Sequence, residues 1–288
     1  PLEDTAARPN HLTTLRLALG LLAAWCVSYE SLAVANIFAD IRSTMEIPLL
    51  TSIWRSLVSV DGGLAATWAA AKPLYLTGQP QAALGRIMSR ATLPVLEPLV
   101  PGQLSCAGVL PEELSVVRGI IDAYNRSNGM NMVALTALVA TPGSTPSSNE
   151  SPSLPSVWPT LPPLLAKAEI DPETWIMLNE INCFGSVGGG GELATLWRHL
   201  AHWPGFLAVI HASLASQHRS GMLANAIGDV HGFAQEEGAS LANLRNNPVT
   251  LPIPARQMVE NYVAIPGAVT RMVTIGHTLA CWLKTVSN

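Results

Sequence analysis

The stretch Phe184 to Leu193 reads FGSVGGGGEL, with four consecutive glycines directly followed by a carboxylate, Glu192. A glycine run that opens a helix leaves backbone N–H groups uncovered at the positive end of the helix dipole. That arrangement suits a carboxylate or another anion. Glycine also lets a ligand approach the backbone more closely than any other residue does. The Gly188–Gly191 amides, Gly190 and Gly191 above all, are therefore candidate anion donors; a flexible loop without a ligand is the other reading. Glu192 is expected in the first turn of the next helix. There it is either a charge that the dipole stabilises or a general base aimed at a bound acid. The run is not a GxGxxG following a strand, so a dinucleotide site is set aside.

A second unusual stretch is DAYNRSNGMNM, Asp122 to Met132. Asn125, Asn128 and Asn131 recur every three residues beside Tyr124, although asparagine is a poor helix former. Buried amides need partners, which points to a polar network or a ligand carboxylate; a capped helix end at the surface is the alternative. His199 and His202 stand three apart, and His211 and His218 lie two turns apart further along. No HExxH or comparable pattern supplies a third ligand, so these read as surface histidines and no metal site is expected. No GxSxG is present, which sets aside a Ser-His-Asp hydrolase. Cys26, Cys106, Cys183 and Cys281 have no close spacing, so neither a zinc site nor a disulfide framework is expected, as in a reducing compartment.

The elements that position these residues read as helices. Apolar residues recur at three- and four-residue spacing, as in Leu193, Leu196, Trp197, Leu200 and Ala201. Prolines such as Pro48, Pro73, Pro80, Pro172, Pro204 and Pro254 mark the joints. The segment from Thr141 to Pro163 is dominated by Pro and Ser and reads as an extended or mobile linker.

The halves on either side of that linker match. An offset of 143 places Trp54 on Trp197, Arg55 on Arg198, Leu57 on Leu200, Gly62 on Gly205 and Gly78 on Gly221. An offset of 138 places Arg118 on Arg256, Asp122 on Glu260, Tyr124 on Tyr262, Gly129 on Gly267 and Thr136 on Thr274. The matched Trp, Leu and Gly pairs read as helix packing and helix-ending turns. The expected fold is all-α: two pseudosymmetric helical repeats joined by the Pro/Ser-rich linker, with a ligand cleft between them. The expected division is an N-terminal extension over 1–27, a first repeat over 28–140, the linker over 141–163 and a second repeat over 164–288.

Of the 288 residues, 49% are hydrophobic and 12% charged, with a net charge of −4 and no basic stripe. That composition excludes nucleic acid as the expected partner. The apolar run Leu15 to Val27, followed by LAVA at Leu32 to Ala35, is too short for a stable membrane span. It reads as a helix folded on the body of a cytoplasmic protein, or as an export signal. Neither a monomer nor a homodimer is excluded.

Three phrases then carry a resemblance: FADIRSTMEIP, VRGIIDAYNRSNG followed by ALTAL, and LAHWPGFLAVI. From Phe38 to Leu283 the chain resembles the group I 2-haloacid dehalogenases. The resemblance implies an all-α fold of two pseudosymmetric repeats with the active site between them. It also implies hydrolysis of 2-haloalkanoic acids with no cofactor, by a water that a carboxylate activates. Carried over residue by residue, the family's pocket Asn falls on Asn125 and its Thr on Thr77. Its Glu one turn later is Gln81, and its bulky aromatic pair falls on Leu49 and Ser52. The water-activating Asp, seven residues before the Trp-Pro, is Leu196, with Thr195 beside it. A leucine cannot take a proton. Glu192, four residues before Leu196 on the same helical face, is the expected replacement.

The expected function is thus cofactor-independent, hydrolase-type chemistry on a small 2-substituted carboxylic acid. Asn125, Thr77, Gln81, Leu49, Ser52, Thr195, Leu196, Gly190 and Gly191 would line the site and Glu192 would act as base. A natural-product isomerase, lyase or cyclase using a larger pocket is one alternative, and a non-catalytic binder of a small acid is the other.

Overall fold

The computed structural model describes residues 32–143, 157–186, 189, 191–245, 250–264 and 268–285. The chain divides into two compact units, Pro1–Asp40 and Ile41–Asn288. In the first, residues 32–40 are helical. The second begins with helical residues 41–45 and continues with α1 (Ser52–Ser56), α2 (Gly63–Leu76), α3 (Gln79–Arg90), α4 (Gln103–Cys106) and the long α5 (Leu114–Val139). After the proline-rich stretch come α6 (Pro172–Cys183), α7 (Thr195–Leu200), α8 (Pro204–Arg219), α9 (Met222–Leu241), α10 (Ile253–Val263) and α11 (Ala268–Lys284). Every described element is helical, as the sequence led us to expect, and none of the described helices is long and apolar enough to cross a membrane.

The 26-residue helix α5, about 39 Å long, runs through the core and is buried along most of its length. Helices α3, α9, α10 and α11 pack around it. Glycines let three of these come close. Leu84 of α3 lies over Gly129, Thr136 lies against Gly238 of α9, and Asn125 lies against Gly276 of α11. A Cβ at any of the three glycines would fall within 2.0–2.4 Å of the facing side chain. The matched tryptophans Trp54 and Trp197 are both fully buried, which agrees with their reading as packing residues.

Prolines open α3, α6, α8 and α10, where the missing N–H costs nothing. Pro73 departs from its expected place at a joint and lies inside α2. Its ring and Ala69, four residues back, are both exposed, so water can solvate the carbonyl left without its helical partner. Gly78 and Gly221 stand just before α3 and α9 with φ of 71° and 78°, a backbone that favours glycine. The other pair parts ways. Gly62 precedes α2 in the same left-handed conformation, whereas Gly205 sits inside α8 against the backbone of Ala107.

Residues 157–166, the described end of the expected linker, contain no helix and lie against α7. His199 Nε2 meets the Pro162 carbonyl at 2.7 Å, His202 Nε2 meets that of Pro163 at 2.8 Å, and Arg198 Nε donates to Leu165 O at 2.9 Å. Pro159 rests on Gly119 of α5. A proline-rich strand offers carbonyls and few N–H groups, and the basic side chains of α7 satisfy them. This corrects the reading of His199 as a surface residue: it is 5% exposed. Among the described residues no three potential ligands gather to hold a metal ion. Cys26 and residues 144–156 lie outside the described residues, as do the N-terminal extension over 1–27 and Gly188 and Gly190 of the glycine run.

Candidate functional site

A cavity of about 340 Å³ opens where the starts of α1 and α7 meet α5, α10 and α11. Ser52, Ile53 and Ser56 line it from α1, Asn128 from α5, and Met258, Asn261 and Tyr262 from α10. Val269 and Met272 of α11 and the segment from Glu192 to Leu196 complete the wall. Among these lining residues Glu192 is the one charged side chain; the other polar groups are hydroxyls and amides.

The segment before α7 owes its shape to Asn182. Its Nδ2 donates to Glu192 O at 3.3 Å, and its Oδ1 accepts the Ala194 N–H at 3.1 Å. This buried amide holds residues 192–194 extended, and α7 begins only at Thr195. Two expectations are corrected here. The glycine run does not open the helix, because three residues separate Gly191 from Thr195. Glu192 is neither in the first turn nor one helical turn behind Leu196; the extended segment carries it to the cavity.

Of the residues expected at the site, Ser52, Glu192, Thr195 and Leu196 do line this cavity. The others are elsewhere. Thr77 ends α2, donating to Leu74 O at 2.6 Å and accepting the Gln79 N–H at 3.2 Å, so it is a joint residue. Gln81 lies on α3 and does not reach the lining, and Leu49 is part of the apolar core. Asn125 is 5% exposed with its Oδ1 against Gly276, one turn of α5 away from the cavity residue Asn128. Gly191 is exposed with φ of 65° and nothing near its Cα, and Gly190 lies outside the described residues.

Two tyrosines frame the cavity. Tyr262 of α10 donates to Asn128 Oδ1 at 3.4 Å and is hydrogen-bonded to Asn131 and Thr51. Asn131 Oδ1 accepts from Tyr75 at 2.7 Å and from Trp54 Nε1 at 3.3 Å, and its Nδ2 donates to Thr51 Oγ1 at 2.8 Å. Burial drives the Tyr75 and Tyr262 hydroxyls well above the usual phenol range, so both stay protonated donors. Tyr124 of α5 meets His199 Nδ1 at 3.3 Å and is hydrogen-bonded to Thr195, the first residue of α7. Burial pushes Tyr124 up to about 12 against the opposing pull of Thr195, Arg55 and Arg198. Burial likewise lowers His199, which the Pro162 carbonyl only partly offsets.

Sequence reasoning missed Ser56, Met258, Asn261 and Tyr262 as lining residues, and Tyr124 and His199 as a linked pair. One signal was visible: Tyr124 and Tyr262 match at the offset of 138. Each reaches the residue that begins a short helix, Thr195 for Tyr124 and Thr51 for Tyr262.

No protein-family model matches the chain, and no curated protein matches it by sequence. Solved structures do match. A D-2-haloacid dehalogenase mutant superposes with a TM-score of 0.62 at 12% identity, covering 88% of this chain and 91% of that one. A complex of a D-2-haloacid dehalogenase mutant with D-2-CPA gives 0.61 at 13% identity, covering 88% and 89%. A complex of D-2-haloacid dehalogenase with L-LA gives 0.59 at 13% identity, covering 88% and 90%. The chain therefore has the all-α fold of the D-2-haloacid dehalogenases over nearly its whole length. At this identity the likeness establishes the fold alone.

Proposed function

We propose that this protein is a cofactor-independent hydrolase of a small 2-substituted carboxylic acid, built from two helical repeats with the site between them. The observation that carries this reading is the meeting of Glu192, Thr195, Ser52, Asn128 and Tyr262 in one cavity of a dehalogenase fold. Its volume suits a small acid. With no cationic side chain in the lining, the hydroxyls and amides are left to bind the substrate carboxylate. Glu192 takes a proton from water as the water oxygen attacks C2. The C2–X bond breaks with its electron pair on X, and a 2-hydroxy acid, a halide and a protonated Glu192 result. The related complexes with D-2-CPA and L-LA fit a substrate and a product of this kind. The repeat reading gains support from the paired tyrosine–threonine bonds and the paired buried tryptophans.

Leu196 favours a second reading. It brings hydrocarbon to the cavity wall at the position where the resemblance puts the water-activating Asp. A binder of small acids, with no turnover, needs no base there.

Halide release from D- and L-2-chloropropionate separates the two. The wild type is expected to release halide, and Glu192→Gln to lose at least about 100-fold in kcat. Release that survives the substitution overturns Glu192 as base. Tight binding of the acid with no release from either enantiomer favours the binder.

A further inference from the structure

Most polar groups in the cavity can either give or take a hydrogen bond. Thr195 differs because of what stands behind it. The Pro162 carbonyl can only accept, so His199 Nε2, 2.7 Å away, carries the proton. In neutral His199 the other nitrogen, Nδ1, then has no hydrogen and must accept. Tyr124 lies 3.3 Å from it and donates. With its only hydrogen committed, the Tyr124 oxygen accepts from Thr195, and that spends the only hydrogen of Thr195. The chain runs one way from the cavity wall to a backbone carbonyl, and His199 and Tyr124 are both buried within it.

We infer that the Thr195–Tyr124–His199 chain fixes Thr195 as a pure hydrogen-bond acceptor toward the cavity, so that it holds the attacking water by one hydrogen and turns the substrate carboxylate away. This rests on the hydrolytic reading given above and adds the device that orients the nucleophile. Water held by one hydrogen on Thr195 has its second for Glu192 and a lone pair for C2. Thr195 touches the water; Tyr124 and His199 are positioning residues that act through it.

The same logic gives the chain a second state. When His199 takes a proton, Nδ1–H must be accepted by Tyr124. The Tyr124 hydrogen then turns to Thr195, and the Thr195 hydrogen turns into the cavity. The wall changes from acceptor to donor, which suits a carboxylate and not the water. The groups that bear on His199 are Tyr124 from α5, the Pro162 carbonyl and its helix neighbour His202, while Arg55 of α1 and Arg198 bear on Tyr124. Burial keeps His199 neutral to a lower pH than an ordinary histidine.

The tautomer is the first readout and needs no ligand. In 15N NMR of the wild type at neutral pH, with the signal assigned by its loss in His199→Gln, His199 is expected as the Nε2–H form. The Nδ1–H form overturns the chain whatever the enzyme does. Kinetics follow on D- and L-2-chloropropionate, with folding of each variant checked by its melting curve. Thr195→Val and Tyr124→Phe are expected to lower kcat at least about tenfold with a smaller change in KM. Thr195→Ser restores the rate. The fall of kcat on the acid side of the wild-type profile is expected to vanish in Tyr124→Phe. A wild type that turns over while Thr195→Val keeps its kcat overturns the chain and leaves the hydrolytic reading standing. A wild type that turns over no acid overturns that reading and the inference with it.

Discussion

At the residue scale, Asn131 shows how much one buried amide can hold. It is fully buried and joins four elements: Trp54 of α1, Tyr75 of α2, Thr51 before α1, and through Tyr262 the helix α10. Removing it leaves two buried donors and a hydroxyl without their partner, which costs more than the net value of the bonds themselves. Asn131→Ala is expected to lower unfolding stability by about 3 kcal/mol, read as a lower urea midpoint at unchanged slope. A midpoint within error of the wild type would show that water takes over the bonds and that the network does not brace the cavity. The three-residue asparagine rhythm made such a network legible in the sequence. It could not say which amide goes where: Asn131 builds the network, Asn128 reaches the cavity, and Asn125 packs against Gly276. That division follows from which helices surround α5, and no local pattern contains it. Glu192 was found for an incomplete reason, since the clamp of Asn182 and not a helical turn delivers it.

At the element scale, glycine decides how closely the helices approach. Gly205 of α8 faces the backbone of Ala107, and a Cβ there would lie 2.5 Å from a carbonyl oxygen that cannot swing aside. Gly228 and Gly232 of α9 are exposed and have open space where a Cβ would go. Gly228→Ala and Gly232→Ala are each expected to raise stability by up to about 1 kcal/mol through helix propensity and a less flexible unfolded chain. Gly205→Ala is expected to lower stability by about 1–3 kcal/mol as α8 is forced off the α4 turn. Melting temperatures of the three variants test this, and a stable Gly205→Ala would mean the α8 contact is soft. Proline punctuation made the helix starts readable, because Pro80, Pro172, Pro204 and Pro254 suit the first turn. It failed at Pro73, whose exposed side of α2 tolerates a missing bond. The sequence also hid the use of the proline-rich stretch. Its carbonyls bind the histidines of α7, and only the folded chain brings residues 162 and 199 together.

At the scale of the whole molecule, the buried histidines tie stability to pH. His277 of α11 is lowered to about 4, first by burial and then by Lys284, and its Nε2 has no partner. The folded chain therefore refuses a proton that the unfolded chain accepts near pH 6.5. The sign follows: stability is intact above about 6.5 and is lost as pH falls toward about 4. At about 1.4 kcal/mol per pH unit the full loss is about 3 kcal/mol, with about 2 kcal/mol already gone at pH 5. His199 and His231 are lowered by burial too and add in the same direction. Urea unfolding of the wild type and of His277→Leu at pH 7 and pH 5 tests the assignment. The variant should lose about 2 kcal/mol less than the wild type between the two, since the unfolded chain then lacks one proton site. Parallel losses would show that His277 titrates normally and that the acid sensitivity lies elsewhere. The same variant separates two effects that overlap in pH, because the acid-driven reversal of the Thr195 chain falls in a range where the fold itself weakens. An acid limb in kcat that His277→Leu leaves in place belongs to the cavity, and one that it removes belongs to unfolding.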